Sequence, residues 1–343
     1  MIGKQSSRLL SRVVACFAVA LCAVPVTAQQ INFTPELREL GRMLFFDPRV
    51  SADGTVSCAT CHDPNHGFAD KNRAAQGING RAGTRNAPTV LGAAYQDLQF
   101  FDGRTEGAGN QSLQPLVNQD EMGNDSVQQV MNRLGRIPGY RQVFRKVFGS
   151  SDVTAQRFAV AILAFESILL SQDSPADKRE QGYRYALSDL AERGRELFLN
   201  EGCAECHAGE LYTDGRFHNN GAALFARSND PGRAGILPQN ARTPETIRAF
   251  KTPTLREVGR TAPYLHNGSI DTLQDVVVGY RGGWQWPVRD RNGNIAWRHD
   301  ARQDERVNRR RNWSDQDVRA IVAYLENLSS PSYPRIGPPN LPR

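Results

Sequence analysis

Apolar positions recur at three- and four-residue spacing in four stretches, and each predicts an amphipathic helix. The first starts at Pro35, with Thr34 as N-cap and Leu37, Leu40 and Leu44 on one face. The second carries Leu190, Gly194, Leu197 and Phe198 on its face and is ended by Gly202. Between them, Phe158, Ala161, Ile162, Phe165, Ile168 and Leu169 mark a helix whose plain reading is core packing. The last begins at the capping pair Ser314 and Asp317, and its stripe Val318, Ile321, Val322, Leu325 and Leu328 runs until Pro331. Strand-like alternation is scarce. The pattern predicts a mainly α fold with long loops.

The first two helices are copies of one another. Leu-Arg-Glu-Leu-Gly-Arg-Met-Leu-Phe-Phe, from Leu37 to Phe46, matches Leu-Ala-Glu-Arg-Gly-Arg-Glu-Leu-Phe-Leu, from Leu190 to Leu199. Each leads into a Cys-x-x-Cys-His, at Cys58, Cys61 and His62 and again at Cys203, Cys206 and His207. The repeat predicts two tandem domains, over 29–180 and 181–335, joined at the polar stretch 171–181 and followed by a tail over 336–343.

Composition narrows the setting. Residues 1–28 read as a cleaved export signal: Lys4, Arg8 and Arg12, then an apolar run to Val26, then Thr27 and Ala28. Losing those three cations takes the formal charge from +6 to +3, which is no nucleic-acid footprint. The run Arg309 to Arg311 reads as a solvated face. Cys16 and Cys22 leave with the signal, so every remaining cysteine belongs to a Cys-x-x-Cys-His unit. None is left for a disulfide, although an exported chain could use one. The expected location is the periplasm.

Two thiols three positions apart reach both vinyl groups of one haem, and the adjacent imidazole meets its iron. A zinc site built from both pairs is the rival. Zinc ribbons place their pairs about 15–20 residues apart, whereas Cys61 and Cys203 are separated by 141 residues. Zinc also gives no reason for a histidine after each pair in a chain with only six histidines. Two covalent c-type haems are therefore expected.

Further motifs lie in between. They are Gly-Phe-Ala-Asp after His66, Arg85-Asn86-Ala87-Pro88-Thr89, Phe101-Asp102-Gly103-Arg104, Glu121-Met122-Gly123, Phe250-Lys251-Thr252-Pro253-Thr254-Leu255-Arg256 and Thr261-Ala262-Pro263-Tyr264-Leu265-His266-Asn267-Gly268. In this order they resemble the bacterial di-haem cytochrome c peroxidase and MauG family, over nearly all of the mature chain.

The resemblance implies reaction with hydrogen peroxide at the first haem to give high-valent iron. The electrons would come from a small redox protein or from a partner protein that is itself oxidised. It matches Glu121 and Gln111 to the pair over the open iron face. A carboxylate there can move a proton between the peroxide oxygens, and burial raises its pKa. It places Phe101, Arg256 and His266 at the haems. It also implies a calcium ion held by Asn86, Thr261 and Pro263, whose oxygen donors suit that ion.

Three departures from the family pattern carry information. The family's blocking histidine is missing, since no histidine lies between His66 and His207; the first haem is expected to be open. Tyr280 matches the second haem's sixth ligand, where peroxidases use methionine and MauG-type members tyrosine. A phenolate stabilises ferric iron, whereas a thioether favours ferrous iron. Phe101 stands where the family places an interhaem tryptophan, and phenylalanine is far harder to oxidise. A plain electron-transfer cytochrome, the non-enzymatic alternative, would need two closed haems. Trp284, Trp286 and His299 fall in a loop region with no role legible in the sequence.

Overall fold

The computed structural model describes residues 33–289, 295–333 and 336–343, and the export signal expected over 1–28 lies outside them. Thr34 Oγ1 accepts from Leu37 N at 3.3 Å and Pro35 fills the first turn, so α1 (Pro35–Phe46) starts where its caps dictate. Leu40 and Leu44 are fully buried on its inner face. Then follow α2 (Cys58–Cys61), α3 (Ala108–Gln111), α4 (Gln114–Val117), α5 (Val127–Gly135), α6 (Pro138–Phe148) and α7 (Ala155–Glu166). The second half holds α8 (Pro175–Glu180), α9 (Asp189–Asn200), α10 (Ala222–Phe225), α11 (Leu273–Arg281) and α12 (Asp315–Glu326). Among the described residues the strands make three short antiparallel pairs. These are β1 (Leu98–Gln99) with β2 (Thr105–Glu106), β3 (Phe217–His218) with β4 (Phe250–Lys251), and β5 (Trp286–Arg289) with β6 (Ile295–Arg298).

The sequence repeat has a packing cause. A Cβ on Gly41 would stand 1.9 Å from Ala161 O, and one on Gly194 would stand 1.8 Å from Ala320 O. Both glycines occupy the same place in the repeat, and each lets its helix cross another backbone to backbone. So α1 crosses α7 as α9 crosses α12. The helix read only as core packing is thus the first module's counterpart of the closing helix. Each crossing pair anchors its own apolar cluster, one around Phe45, Phe158 and Phe165, the other around Phe198, Ile321 and Tyr324.

Two helix readings need correction. Leu190 is 40% exposed, and the buried face of α9 is Ala191, Gly194 and Phe198; the crossing at Gly194 fixes the rotation of the helix. Ile168 is exposed as well, because α7 ends at Glu166 and Ser167 Oγ donates back to Ala164 O at 2.8 Å. The stretch 171–181 contains α8, with Ser174 and Asp177 in a capping box. The chain end returns to the first core: Tyr333 is buried against Phe68, and Gly139 N donates to Arg343 O at 2.7 Å.

Candidate functional site: two Cys-x-x-Cys-His turns

Both motifs fold into single helical turns that present two thiols and one imidazole. His62 N donates to Cys58 O at 2.9 Å, and His207 N donates to Cys203 O at 2.9 Å. The ring of His62 lies with Nδ1 at 3.3 Å from Phe68 O, and that of His207 with Nδ1 at 3.0 Å from Tyr212 O. A proton on each Nδ1 satisfies that carbonyl and leaves Nε2 with a free lone pair, the arrangement a metal-ligating histidine needs. Burial pushes His62 down to about 4 and lowers His207, so both rings are neutral at pH 7. Burial raises Cys58 and Cys61 to about 12 and Cys203 to about 11. None of the four sulfurs is tied up in a disulfide. The donor set fits one thioether-linked haem per turn.

Around the second turn lies a cavity of about 250 Å³, with Cys203, Cys206, His207 and Tyr280 on its wall among Leu273, Val277, Ile321 and Leu325. A largely apolar pocket with a few convergent polar groups suits a flat, greasy cofactor. Tyr280, on α11, takes a hydrogen bond from Asn220 Nδ2 to its hydroxyl at 3.1 Å. Burial raises its pKa, so the protein alone favours the neutral phenol. Arg311 corrects the solvated-face reading of its run. Its guanidinium turns inward, donates to Tyr280 O at 2.8 Å and lines the same cavity. His218 sits between Asp214 and Asp304 at 2.8 and 3.0 Å. Its pKa is raised to about 9, first by the hydrogen bond to Cys206 and then by Asp214.

The first turn has different neighbours. Glu121 is partly buried, and burial raises its pKa against the pull of Arg104 and of Asn118, whose Nδ2 donates to Oε1 at 2.8 Å. The Glu121 carboxylate acts on Cys61 through space, which places it beside the first motif. Gln111 ends α3, partly buried, and makes no hydrogen bond to Glu121 among the described residues.

A model of the family described as di-haem cytochrome c peroxidase matches residues 35–184, and a cytochrome c model matches 191–329. The methylamine utilization protein MauG of Methylorubrum extorquens is 36% identical over 300 residues, spanning 87% of this chain and 79% of its own. Cytochrome c551 peroxidase of Nitrosomonas europaea is 33% identical, over 86% of this chain and 81% of its own. The chain belongs to the di-haem cytochrome c peroxidase family.

Solved structures agree in fold. A MauG-like protein associated with microbial copper homeostasis superposes with a TM-score of 0.77 at 26% identity, over 92% of this chain and 96% of its own. The diheme peroxidase BthA of Burkholderia thailandensis gives 0.72 at 25% identity, over 91% of each chain. Like its relatives, this di-haem peroxidase is an oxidoreductase built from two tandem cytochrome c-like domains with two c-type haems. No helix among the described residues is long and apolar enough to cross a membrane.

Other residues singled out in the sequence line the cavity around the second turn, among them His266, Asn86, Thr261 and Pro263. Phe101 lines the cavity, and its carbonyl accepts from Lys251 N at 2.7 Å. His266 is buried, stacks on Phe250 with ring centroids 4.0 Å apart, and faces Ser228 Oγ at 3.1 Å. Burial takes it down to about 4. Arg256 has a different station: its guanidinium pairs with Asp177 at 2.5 Å and donates to Glu210 O at 2.7 Å. It thereby ties down the loop whose Tyr212 carbonyl orients His207. Asn86 Nδ2 donates to Asp70 O at 3.0 Å and Asn72 O at 2.7 Å, which leaves Oδ1 for another partner. Asn86, Thr261 and Pro263 line one cavity, and Asn86 N donates to His266 O at 2.9 Å. His66 Nε2 contacts the carbonyl of Ala262.

Sequence reasoning passed over two buried acids. Glu166 is 3% exposed, its Oε2 has no hydrogen-bond partner among the described residues, and burial lifts its pKa to about 8. It acts on Cys58 through space. Asp70 is buried too, with Oδ2 likewise unpartnered. The signal for Glu166 was a lone charge at the end of the apolar run from Phe158 to Phe165.

Proposed function

We propose that the chain reduces hydrogen peroxide at the module of Cys58, Cys61 and His62. Electrons reach it through the module of Cys203, Cys206, His207 and Tyr280. The observation that carries this reading is the asymmetry of the two sites: a carboxyl with a raised pKa beside Cys61, and a phenol in the cavity of His207. A c-type haem at each site supplies iron that exchanges electrons with peroxide and with the donor.

The side chains do the rest. Glu121 holds and moves the proton that peroxide cleavage requires, and burial raises its hold on that proton above that of an ordinary carboxylate. Gln111 orients the incoming peroxide. Nδ1 contacts to Phe68 O and Tyr212 O fix both imidazoles. Tyr280 would supply an oxygen ligand to a haem held there, which would favour the oxidised state of the second site. Asn86 Oδ1 with the carbonyls of Thr261 and Pro263 binds calcium between the two sequence halves, a hard oxygen set for a hard ion. The protein works in the periplasm, exported by residues 1–28.

For the electron source, tyrosine at the second site favours oxidation of a partner protein's aromatic side chain, and Phe101 in place of a more oxidisable ring weighs towards a small redox protein. Rapid mixing of the as-isolated protein with hydrogen peroxide tests the core of this reading. A high-spin signal and a fast absorption change at the first haem are expected. An as-isolated spectrum without high-spin iron refutes it. Steady turnover with reduced cytochrome c then selects the small redox donor.

A further inference from the structure

We propose that Trp284 relays single electrons from an external donor to Tyr280, a step that rests on the peroxidase reading above. After α11 the chain reverses through Gly282 and Gly283, and Trp284 N donates to Gly279 O at 2.9 Å. The reversal lays the indole back on the helix that carries Tyr280. Gly279 makes room for it, since a Cβ there would stand 2.5 Å from the indole. The ring meets Tyr280 edge-on, with centroids 5.4 Å apart and planes at 75°. On another side it meets Phe225, also at 5.4 Å and at 72°. Trp284 is 1% exposed and Phe225 is 39% exposed. A line of three rings thus leads outward from Tyr280, and one phenyl separates the indole from solvent.

Two features are costly for a residue that only fills space. Trp284 holds a left-handed backbone, φ +52°, a conformation that is strained for a bulky side chain. Its Nε1 has no hydrogen-bond partner among the described residues, a further cost for a buried N–H. Leucine or phenylalanine would fill the volume without the second cost. What indole adds is ease of oxidation. No side chain among the described residues is placed to take the indole proton as the electron leaves.

The electrons balance. One hydrogen peroxide takes up two protons and two electrons and becomes two waters. Each electron leaves Trp284 towards Tyr280, and a donor at the Phe225 face returns one. Without a donor, the indole itself is consumed. Water adds to a ring carbon, a C–O bond forms as a C–H bond breaks, and two protons and two electrons are released to match one peroxide.

The test treats the holoprotein with peroxide in the absence of donor, as wild type, Trp284→Phe and Trp297→Phe. Trp297 lies exposed on β6 and serves as the control. Wild type and Trp297→Phe should give an indole radical by electron paramagnetic resonance, and peptide mapping should find the added oxygen on Trp284. Trp284→Phe should lose the radical while the first haem still responds to peroxide. A radical that persists in Trp284→Phe, or a wild-type Trp284 without added oxygen, overturns the relay; the mapping needs no variant to fold. No absorption change in wild type sinks the peroxidase reading, and the relay with it.

Discussion

Asn118 donates from Nδ2 to Glu121 Oε1 at 2.8 Å, and this contact orients a carboxyl that acts on Cys61 from the turn after α4. Burial is the largest influence on that carboxyl and raises its pKa. Glu121→Gln keeps the size and the acceptor for Asn118 but removes the exchangeable proton. The expected loss in the rate of peroxide reaction is on the order of 10²–10⁴-fold, with both haems retained. In wild type, the rate should change with pH above the ordinary carboxylate range, and the variant should lack that limb. Stopped-flow absorbance across pH checks both, and an unchanged rate removes Glu121 from its role.

Tyr280→Phe tests the second site. The variant keeps the ring against Trp284 and loses only the oxygen that Asn220 contacts. If that oxygen ligates iron, the second haem's spectrum changes and its reduction potential rises, because an oxygen donor that favours ferric iron is gone. The first haem should still react with peroxide. Spectroelectrochemistry resolving the two haems provides the reading, and an unshifted second haem refutes the ligand assignment.

What could be read in the sequence was local. Thr34 with Pro35, and Ser314 with Asp317, set helix starts through contacts three residues apart, and the structure has them. The repeat could be seen as well, but not its reason, because Gly41 meets Ala161 and Gly194 meets Ala320 only after folding. Leu190 was misplaced for the same cause: a crossing point, not hydropathy alone, fixes which face of α9 turns inward. Arg311 reads as one of three charges in a row until the loop before α12 folds it onto Tyr280 O. Motif order led to the Asn86, Thr261 and Pro263 set, which spans 178 positions of chain and has no local pattern.

Glu166 gives a prediction about stability. Its folded pKa of about 8 lies above the 4.5 of an ordinary glutamate, because burial penalises the charged carboxylate. The stability linked to its proton is therefore complete below about pH 4.5 and is lost as pH rises through about 8. At about 1.4 kcal/mol per pKa unit this reaches a few kcal/mol in wild type. Glu166→Gln stays neutral and should not show it. Denaturant unfolding of both holoproteins across pH should give curves that diverge between about pH 4.5 and 8, with the variant the more stable at alkaline pH. Parallel curves would remove Glu166 as a buried, protonated acid.

Calcium should tie together stretches of chain far apart in sequence. Asn86 is held by two donated hydrogen bonds, to Asp70 O and Asn72 O, so its amide cannot rotate without losing both. That leaves Oδ1 fixed on the cavity that Thr261 and Pro263 also line, and Asn86 N ties its own segment to the one after Pro263 through His266 O. Such an oxygen set would bind the ion in the folded chain only, so the ion would stabilise the fold by mass action, about 2.7 kcal/mol at a hundredfold excess over Kd. Thermal unfolding of wild type should then shift upward with added calcium and downward with a chelator. Asn86→Ala loses the hydrogen bonds as well and will start lower, so its absolute melting point decides nothing. The informative quantity is the calcium-dependent shift, which should disappear in Asn86→Ala. A wild-type protein whose melting ignores calcium and chelator alike would show that these oxygens hold no ion.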